Sequence, residues 1–343
     1  MAPTITSNPE NAVKSLSRTV FLLGLWLQLP TCAQTAWHHK EYQQSYFQGL
    51  RYGLFTPRNY QRGKVYPLIV YLHGSRDTVS RDNIWYQASI QNEHPCFVLT
   101  PKCEEPEQGW GNTWTDTHTA AMRKTLALVD SLVKHYGIDK SRLYLYGISM
   151  GGFGVFSVLA KEPGKFAAAY AVCGGSNESV ASRIKTPLWI FHGADDDVVP
   201  VRLSRDIYRE MVRQGKKTVR YTEYPGVKHN SWENVAQEKS LPTWLFLQQK
   251  SKTGPEPDPA ENPSQRPQDN GVRVSWTNPT QRADRTVWYY KLFRDKTLLT
   301  ELPGDATDFV DTSVKSRTFH QYSLTAVSYF FIESKPSIAV LRK

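Results

Sequence analysis

The run Leu143-Tyr144-Leu145-Tyr146-Gly147-Ile148-Ser149-Met150-Gly151-Gly152 constrains this chain most strongly. An aromatic-rich apolar segment of strand character enters Gly-x-Ser-x-Gly, and the residues after it, Phe153 to Lys161, read as a helix. A chain passing from strand to helix through one serine has the layout of a nucleophile elbow, a strained turn that lifts the hydroxyl above the end of a sheet. Gly147 and Gly151 suit that turn because a side chain at either place would meet neighbouring backbone. The amide of Met150, opening the helix, is left to point at a developing negative charge. Glycine is common, so the five-residue pattern also arises by chance, and the segments on either side of it decide its meaning.

Those segments alternate. Residues 37–59 are strand-like, most clearly from Tyr46 to Phe55. Tyr66 to Leu72 is a continuous apolar run, as expected of a central strand covered on both faces, and it ends in His73-Gly74-Ser75-Arg76. Phe97 to Thr100 is a short buried strand, followed by the loop Trp110-Gly111-Asn112-Thr113-Trp114. Met122, Leu126, Val129, Val133 and Tyr136 recur at helical spacing, and Gly137 closes that helix. Beyond the elbow come strands at Phe166 to Cys173, Pro187 to Phe191 and Val219 to Tyr224, with helices near Val201 to Gln214 and Leu241 to Gln249. This alternation predicts an α/β fold, a mainly parallel sheet flanked by helices with its site at the carboxyl ends of the strands.

The 343 residues leave room for more than one domain. Lys14 and Arg18 precede the apolar run Thr19 to Leu29, and Pro30-Thr31-Cys32-Ala33-Gln34 comes next. Residues 1–33 therefore read as a signal peptide, which predicts a secreted or periplasmic protein with no transmembrane helix in the mature chain. Leu29-Pro30-Thr31-Cys32 also has the look of a lipoprotein box, so a lipid anchor at Cys32 stays open. Cys96, Cys103 and Cys173 form either one disulfide of unspecified pairing or three buried thiols. The net charge of +10 is not gathered into a Lys/Arg stripe, so nucleic acid is not an expected partner. Residues 34–250 hold the α/β domain. Residues 251–267, with Pro255, Pro257, Pro259, Pro263 and Pro267, read as a stiff linker that limits contact between domains. Residues 268–343 carry short alternating strands of a small β-sandwich, among them Val272 to Trp276, Val287 to Phe293 and Tyr322 to Val327.

A nucleophilic serine needs a base to take its proton and an acid to hold that base in the right tautomer. On this fold they should come in the order Ser, Asp, His. After the Pro187 to Phe191 strand comes His192-Gly193-Ala194-Asp195-Asp196-Asp197-Val198-Val199-Pro200, and after the Val219 to Tyr224 strand comes Pro225-Gly226-Val227-Lys228-His229. Carboxylate, imidazole and serine thus all fall on loops at strand ends. Of three adjacent aspartates only one can lie in line with an imidazole N–H, because neighbouring side chains diverge past the strand end. The three lack the spaced ligands of a calcium loop, and no metal or organic cofactor is expected. His73 and His192 each precede a glycine at a strand end and read as shaping the turn, and His38 and His39 as solvent-exposed. Trp110 and Trp114 either line a sugar or aryl subsite or cap the core.

With His73-Gly74, Gly147-Ile-Ser-Met-Gly-Gly152, His192-Gly193-x-x-Asp196-x-x-Val199-Pro200 and Gly226-x-x-His229, residues 40–250 resemble α/β-hydrolases of the dienelactone hydrolase and predicted-peptidase type. These are similar to secreted acetyl-xylan and feruloyl esterases and polyhydroxybutyrate depolymerases. The resemblance implies that Ser149 is the nucleophile, His229 the general base and Asp196 its orienter, with the oxyanion held by the Met150 and Ser75 amides. It implies a serine carboxylic-ester hydrolase acting on small-molecule or polysaccharide esters of carbohydrate or plant origin. A serine peptidase on the same scaffold and a catalytically idle binding module are the alternatives. Residues 268–343 resemble a fibronectin type III domain, in which Trp276 would be the core tryptophan and Tyr322 the corner tyrosine.

Overall fold

The computed structural model describes residues 41–75, 83–105, 107–280, 282, 285–314 and 320–341. The segment read as a signal peptide, Cys32, His38 and His39 lie outside the described residues. Among those described, no helix is long and apolar enough to cross a membrane.

The chain enters through an antiparallel hairpin, β1 (Tyr42–Phe47) and β2 (Leu50–Phe55), which turns at Gln48-Gly49 with both residues at positive φ. Then strands and helices alternate as their patterning predicts: β3 (Tyr66–Leu72), α1 (Ala88–Glu93), β4 (Phe97–Pro101), α2 (Ala120–His135), β5 (Ile138–Ile148), α3 (Met150–Lys161) and β6 (Ala168–Val172). β7 (Leu188–Gly193), α4 (Arg202–Arg213), β8 (Val219–Tyr224), α5 (Trp232–Val235) and α6 (Ser240–Leu247) complete the body. The eight strands form one sheet in the order β1-β2-β4-β3-β5-β6-β7-β8. From β4 to β8 every neighbouring pair is parallel.

Side chains alternate across the sheet and give it two cores. Leu68, Val70, Leu72, Leu143 and Leu145 pack with Met122 and Leu126 of α2, Val155 and Phe156 of α3 and Ile207 of α4. Ile69, Tyr71, Tyr144, Tyr146 and Tyr170 turn the other way and pack with Trp85 and with Leu241 and Trp244 of α6. Gly137 does come after α2, yet its role is close approach: a Cβ there would overlap the Lys64 carbonyl oxygen.

The C-terminal strands form two four-stranded sheets. One is ordered β13 (Asp308–Asp311), β10 (Gly271–Thr277), β9 (Glu261–Gln268), β16 (Val340–Leu341). The other is β12 (Thr297–Pro303), β11 (Val287–Arg294), β14 (Tyr322–Ser328), β15 (Ser337–Ile338). Between them lie Val274, Trp276, Tyr290, Leu292, Tyr322 and Leu324. The Tyr322 hydroxyl donates to Asp311 Oδ2 at 2.8 Å, so this tyrosine ties the strands through a carboxylate side chain.

Two expectations about residues 251–267 need correction. Residues 261–267 belong to β9, paired antiparallel with β10 from Gln268 opposite Gly271 to Glu261 opposite Thr277. Prolines 263 and 267 are tolerated because the outer edge of β9 is paired with β16 only at Ser264 and Gln265, leaving room for residues without an N–H. The stretch before β9 is not a free spacer either. The Lys335 amide donates to Glu256 at 3.1 Å, Arg285 pairs with Asp258 at 3.2 Å, and a side chain at Gly254 would overlap the Phe330 ring.

The two parts share packing. The Trp288 ring of β11 lies 4.8 Å from Trp189 of β7 and 6.1 Å from Trp244 of α6. Arg220 of β8 sits over three rings, at 5.0 Å from Trp189, 4.4 Å from Trp288 and 4.3 Å from Tyr289. Gln248 Nε2 donates to the Tyr329 carbonyl at 2.8 Å.

Candidate active site

The site grows out of the β5–α3 turn. Ser149 has φ 54° and ψ −115°, a conformation that costs a side-chain-bearing residue on the order of 1–3 kcal/mol and persists only when its surroundings fix it. They do. The Ser149 amide donates to the Val172 carbonyl at 2.9 Å and its carbonyl accepts from the Phe153 amide at 3.1 Å. A Cβ at Gly147 would overlap the Gly151 backbone, and one at Gly151 would overlap the Leu72 carbonyl, so glycine alone lets α3 lie this close to β5 and β3.

Two loops reach this serine. His229 comes after β8, and its Nε2 lies 3.0 Å from Ser149 Oγ. Its Nδ1 lies 2.8 Å from Asp196 Oδ2 and 3.1 Å from Oδ1. Asp196 comes after β7, and its Oδ1 accepts the Val198 amide at 2.9 Å and the Val199 amide at 2.8 Å. Burial pushes the Asp196 carboxyl up, but the bonds from His229, Val199 and Val198 outweigh burial and hold it below the usual carboxylate range. Asp195 and Asp197 point elsewhere: both are exposed, and Asp197 pairs with Lys228 at 3.0 Å. In this arrangement an ionised carboxylate holds the Nδ1–H tautomer of His229, which leaves Nε2 free to accept the serine proton.

Met150 opens α3 directly behind Ser149, and Ser75 sits in the exposed turn after β3. The two segments meet: a Cβ built on Gly74 would lie 3.8 Å from Ser149 Cβ. The tryptophans divide. Trp114 is 52% exposed, with its ring 6.1 Å from Phe153. Trp110 is 0% exposed, and its Nε1 donates to the His73 carbonyl at 3.0 Å. That burial corrects the subsite reading for Trp110, which caps the core. His73 is buried as well; its Nε2 accepts the Cys103 amide at 3.0 Å while Nδ1 faces the Gly74 carbonyl at 2.7 Å, holding the loop after β3.

Cys96, Cys103 and Cys173 are free and buried, so the open choice falls to thiols. Burial pushes the Cys173 thiol up to about 12. Its Sγ, an Asp196 oxygen and a His229 nitrogen lie within 4.8 Å of one another. An un-ionised thiol beside a carboxylate already filled by N–H donors is a poor cation site.

Two features of the site carry little signal in the sequence. The Trp232 ring stands edge-on to His229 at 5.7 Å. With Tyr71, Tyr146, Ile148, Tyr170 and Val172 it lines a cavity of about 150 Å³. The second is His192, whose buried ring touches Asp196. The cavity's tyrosines come from three strands, Tyr71 from β3, Tyr146 from β5 and Tyr170 from β6. Nothing in a His-Gly pair at a strand end points to a carboxylate.

An eight-stranded, mainly parallel sheet with a serine elbow at its carboxyl edge defines an α/β-hydrolase. Residues 60–241 match the family model described as phospholipase/carboxylesterase, and the chain belongs to that family. It is 33% identical over 138 residues to a bifunctional acetylxylan esterase/xylanase of Neocallimastix patriciarum, covering 39% of this chain and 20% of that protein. It is 27% identical over 142 residues to a dipeptidyl-peptidase 5 of Porphyromonas gingivalis, covering 39% of this chain and 20% of the relative. The chain thus spans about a fifth of the length of these curated relatives. Among solved structures, a thermostable esterase is 32% identical with a TM-score of 0.56, over 61% of this chain and 64% of that one.

Proposed function

We propose that this chain is a serine ester hydrolase in which Ser149, His229 and Asp196 form the catalytic triad. The observation that carries the reading is the continuous line from Asp196 through His229 to Ser149, at 2.8 Å and 3.0 Å, ending on an elbow serine. Ser149 Oγ attacks the ester carbonyl carbon as its proton passes to His229 Nε2. The carbonyl oxygen takes the negative charge and is held by the amides of Met150 and Ser75. Collapse of the tetrahedral species expels the alcohol, protonated by His229, and leaves an acyl group on Ser149. Water, deprotonated by the same imidazole, then releases the acid.

The acyl group is short and the alcohol is carbohydrate or plant-derived. A cavity of about 150 Å³ beside Ile148 and Trp232 holds roughly five water-sized groups, enough for acetyl to butyryl. A relative bearing the name acetylxylan esterase supports the same class. A second reading, amide hydrolysis, is favoured by the dipeptidyl-peptidase relative. An idle binding module is disfavoured, since its serine and histidine would be free to drift apart. The division at residue 250, a fibronectin type III-like character for the sandwich and export through residues 1–33 belong to the same reading; the last rests on sequence alone.

The test is a side-by-side assay of p-nitrophenyl acetate, butyrate and octanoate with an aminoacyl p-nitroanilide. Acetate and butyrate should turn over, octanoate poorly, the anilide hardly at all. Ser149→Ala should lose on the order of 10⁴-fold or more. Faster turnover of the anilide would move the chain to the peptidase reading, and a Ser149→Ala enzyme keeping a tenth of its rate would end both.

A further inference from the structure

His192 closes β7 with its ring fully buried. Nε2 lies 3.0 Å from Asp196 Oδ2 and 3.1 Å from the Val199 carbonyl oxygen. Nδ1 lies 2.8 Å from Ser204 Oγ of α4, and that hydroxyl is also 3.1 Å from the Gly174 carbonyl oxygen. Both neighbours of Nε2 are acceptors with no hydrogen to give, so Nε2 carries the ring proton. Burial holds His192 below the usual histidine range, against the opposing pull of the Val199 carbonyl and Asp196. The ring is therefore neutral, and Nδ1 accepts from the Ser204 hydroxyl. Asp196 then receives two amides on Oδ1 and the His229 N–H on Oδ2, while the His192 Nε2–H, directed at the Val199 carbonyl, lies beside that same Oδ2 at 3.0 Å.

We propose that His192 is a positioning residue for the triad: its Nε2–H dipole, set beside Asp196 Oδ2, keeps that oxygen in line with His229 Nδ1 and draws charge away from it. The proposal rests on the reading of Asp196 as the partner of His229 in hydrolysis. A carboxylate with a fourth N–H dipole beside its three donors stabilises a neighbouring imidazolium less than one without that dipole. Removing the His192 donor concentrates charge on the bond to His229, holds the proton there more tightly, and moves the acid limb of kcat/KM to higher pH. It also frees the carboxylate to rotate, which lowers kcat. Among the described residues, the other charges acting on this ring are His229 and Glu223, the latter in register beside it on β8 and paired with Arg205 of α4 at 2.6 Å, while the un-ionised Cys173 thiol lies with Asp196 and His229. These remain in the variants, so a difference reports the His192 donor.

The experiment compares His192→Leu with His192→Gln in the full chain, measuring kcat and KM for p-nitrophenyl acetate across the pH range. The glutamine amide nitrogen can stand where Nε2 stands and donate to Asp196. His192→Leu should lower kcat roughly 10- to 100-fold with little change in KM, and raise the acid limb by about half a pH unit or more. His192→Gln should recover most of both. A leucine variant with wild-type kcat and acid limb overturns the proposal, as do leucine and glutamine variants impaired alike. Histidine ¹⁵N NMR on the wild-type chain tests it where the leucine variant does not fold: His192 should be a neutral Nε2–H tautomer at pH 7, and an Nδ1–H tautomer refutes it. Asp196→Asn runs in parallel. Near-normal turnover there sinks the triad reading itself, whereas an inactive Asp196→Asn beside an indifferent His192→Leu sinks only the role of His192.

Discussion

Trp288→Ala tests whether the sandwich and the hydrolase body are one folding unit. Trp288 is 5% exposed and meets Trp189 at 4.8 Å, Tyr329 at 5.2 Å and Phe331 at 5.4 Å. Truncating so buried an aromatic costs about 3–5 kcal/mol. Arg220 adds to that. Its Nε and Nη1 have no hydrogen-bond partner among the described residues, so the nearby rings and the charge of Glu301 offset its burial. Losing the Trp288 face removes roughly 0.5–2 kcal/mol more. A total near 3.5–7 kcal/mol, at about 2–4 °C per kcal/mol for a body of this size, lowers Tm by about 7–28 °C. Calorimetry with an esterase assay at each temperature measures it, and activity should vanish within the same single transition. Two separate transitions, with activity tracking an unshifted one, would refute the shared core. So would a fall of less than about 2 °C.

Two more perturbations probe the site and the sandwich. Asp196→Asn should cost several orders of magnitude in kcat by favouring the wrong His229 tautomer, while Asp195→Asn and Asp197→Asn each cost about tenfold or less; steady-state kinetics on the three at pH 7 decide the assignment. Asp311 is nearly buried; burial pushes its carboxyl up, but bonds from Ser313, Tyr322 and Arg294 hold it below its ordinary 3.8. A depressed folded value gives stability that is present above the unfolded value and lost as pH falls through the folded one. Thermal melts should therefore drop below about pH 4, and the drop should be shallower in Asp311→Asn.

The α/β body was legible because its patterns are local. Tyr66 to Leu72 is apolar at every position and forms a central strand; Met122, Leu126 and Val129 share the buried face of α2, whereas Tyr136 falls just past its end and is exposed. The residues now grouped at the site were legible for the same reason, since Ser149, Asp196 and His229 each sit just past a strand end. What escaped depended on partners distant in sequence. Nothing near Pro263 and Pro267 announces a strand; β9 exists because β10 pairs with it, and its proline-rich composition read as linker. Trp110 and Trp114 look alike in sequence, yet one meets His73 and is sealed while the other stays in solvent. The cage around Arg220 joins residues from β7, β8 and β11, a meeting that no single window of sequence contains.

That cage also sets an order of events during synthesis. The eight-stranded sheet has all its strands once Tyr224 has been made and its last helix once Leu247 has, but Trp189, Trp244 and Arg220 wait for partners on β11 and at Phe331. The sandwich itself closes only when Val340 and Leu341 reach β9. At about 5–20 residues per second, a chain growing from the ribosome spends on the order of 5–20 s with a finished catalytic sheet and an open aromatic face. That interval is when a chaperone would find the most to hold.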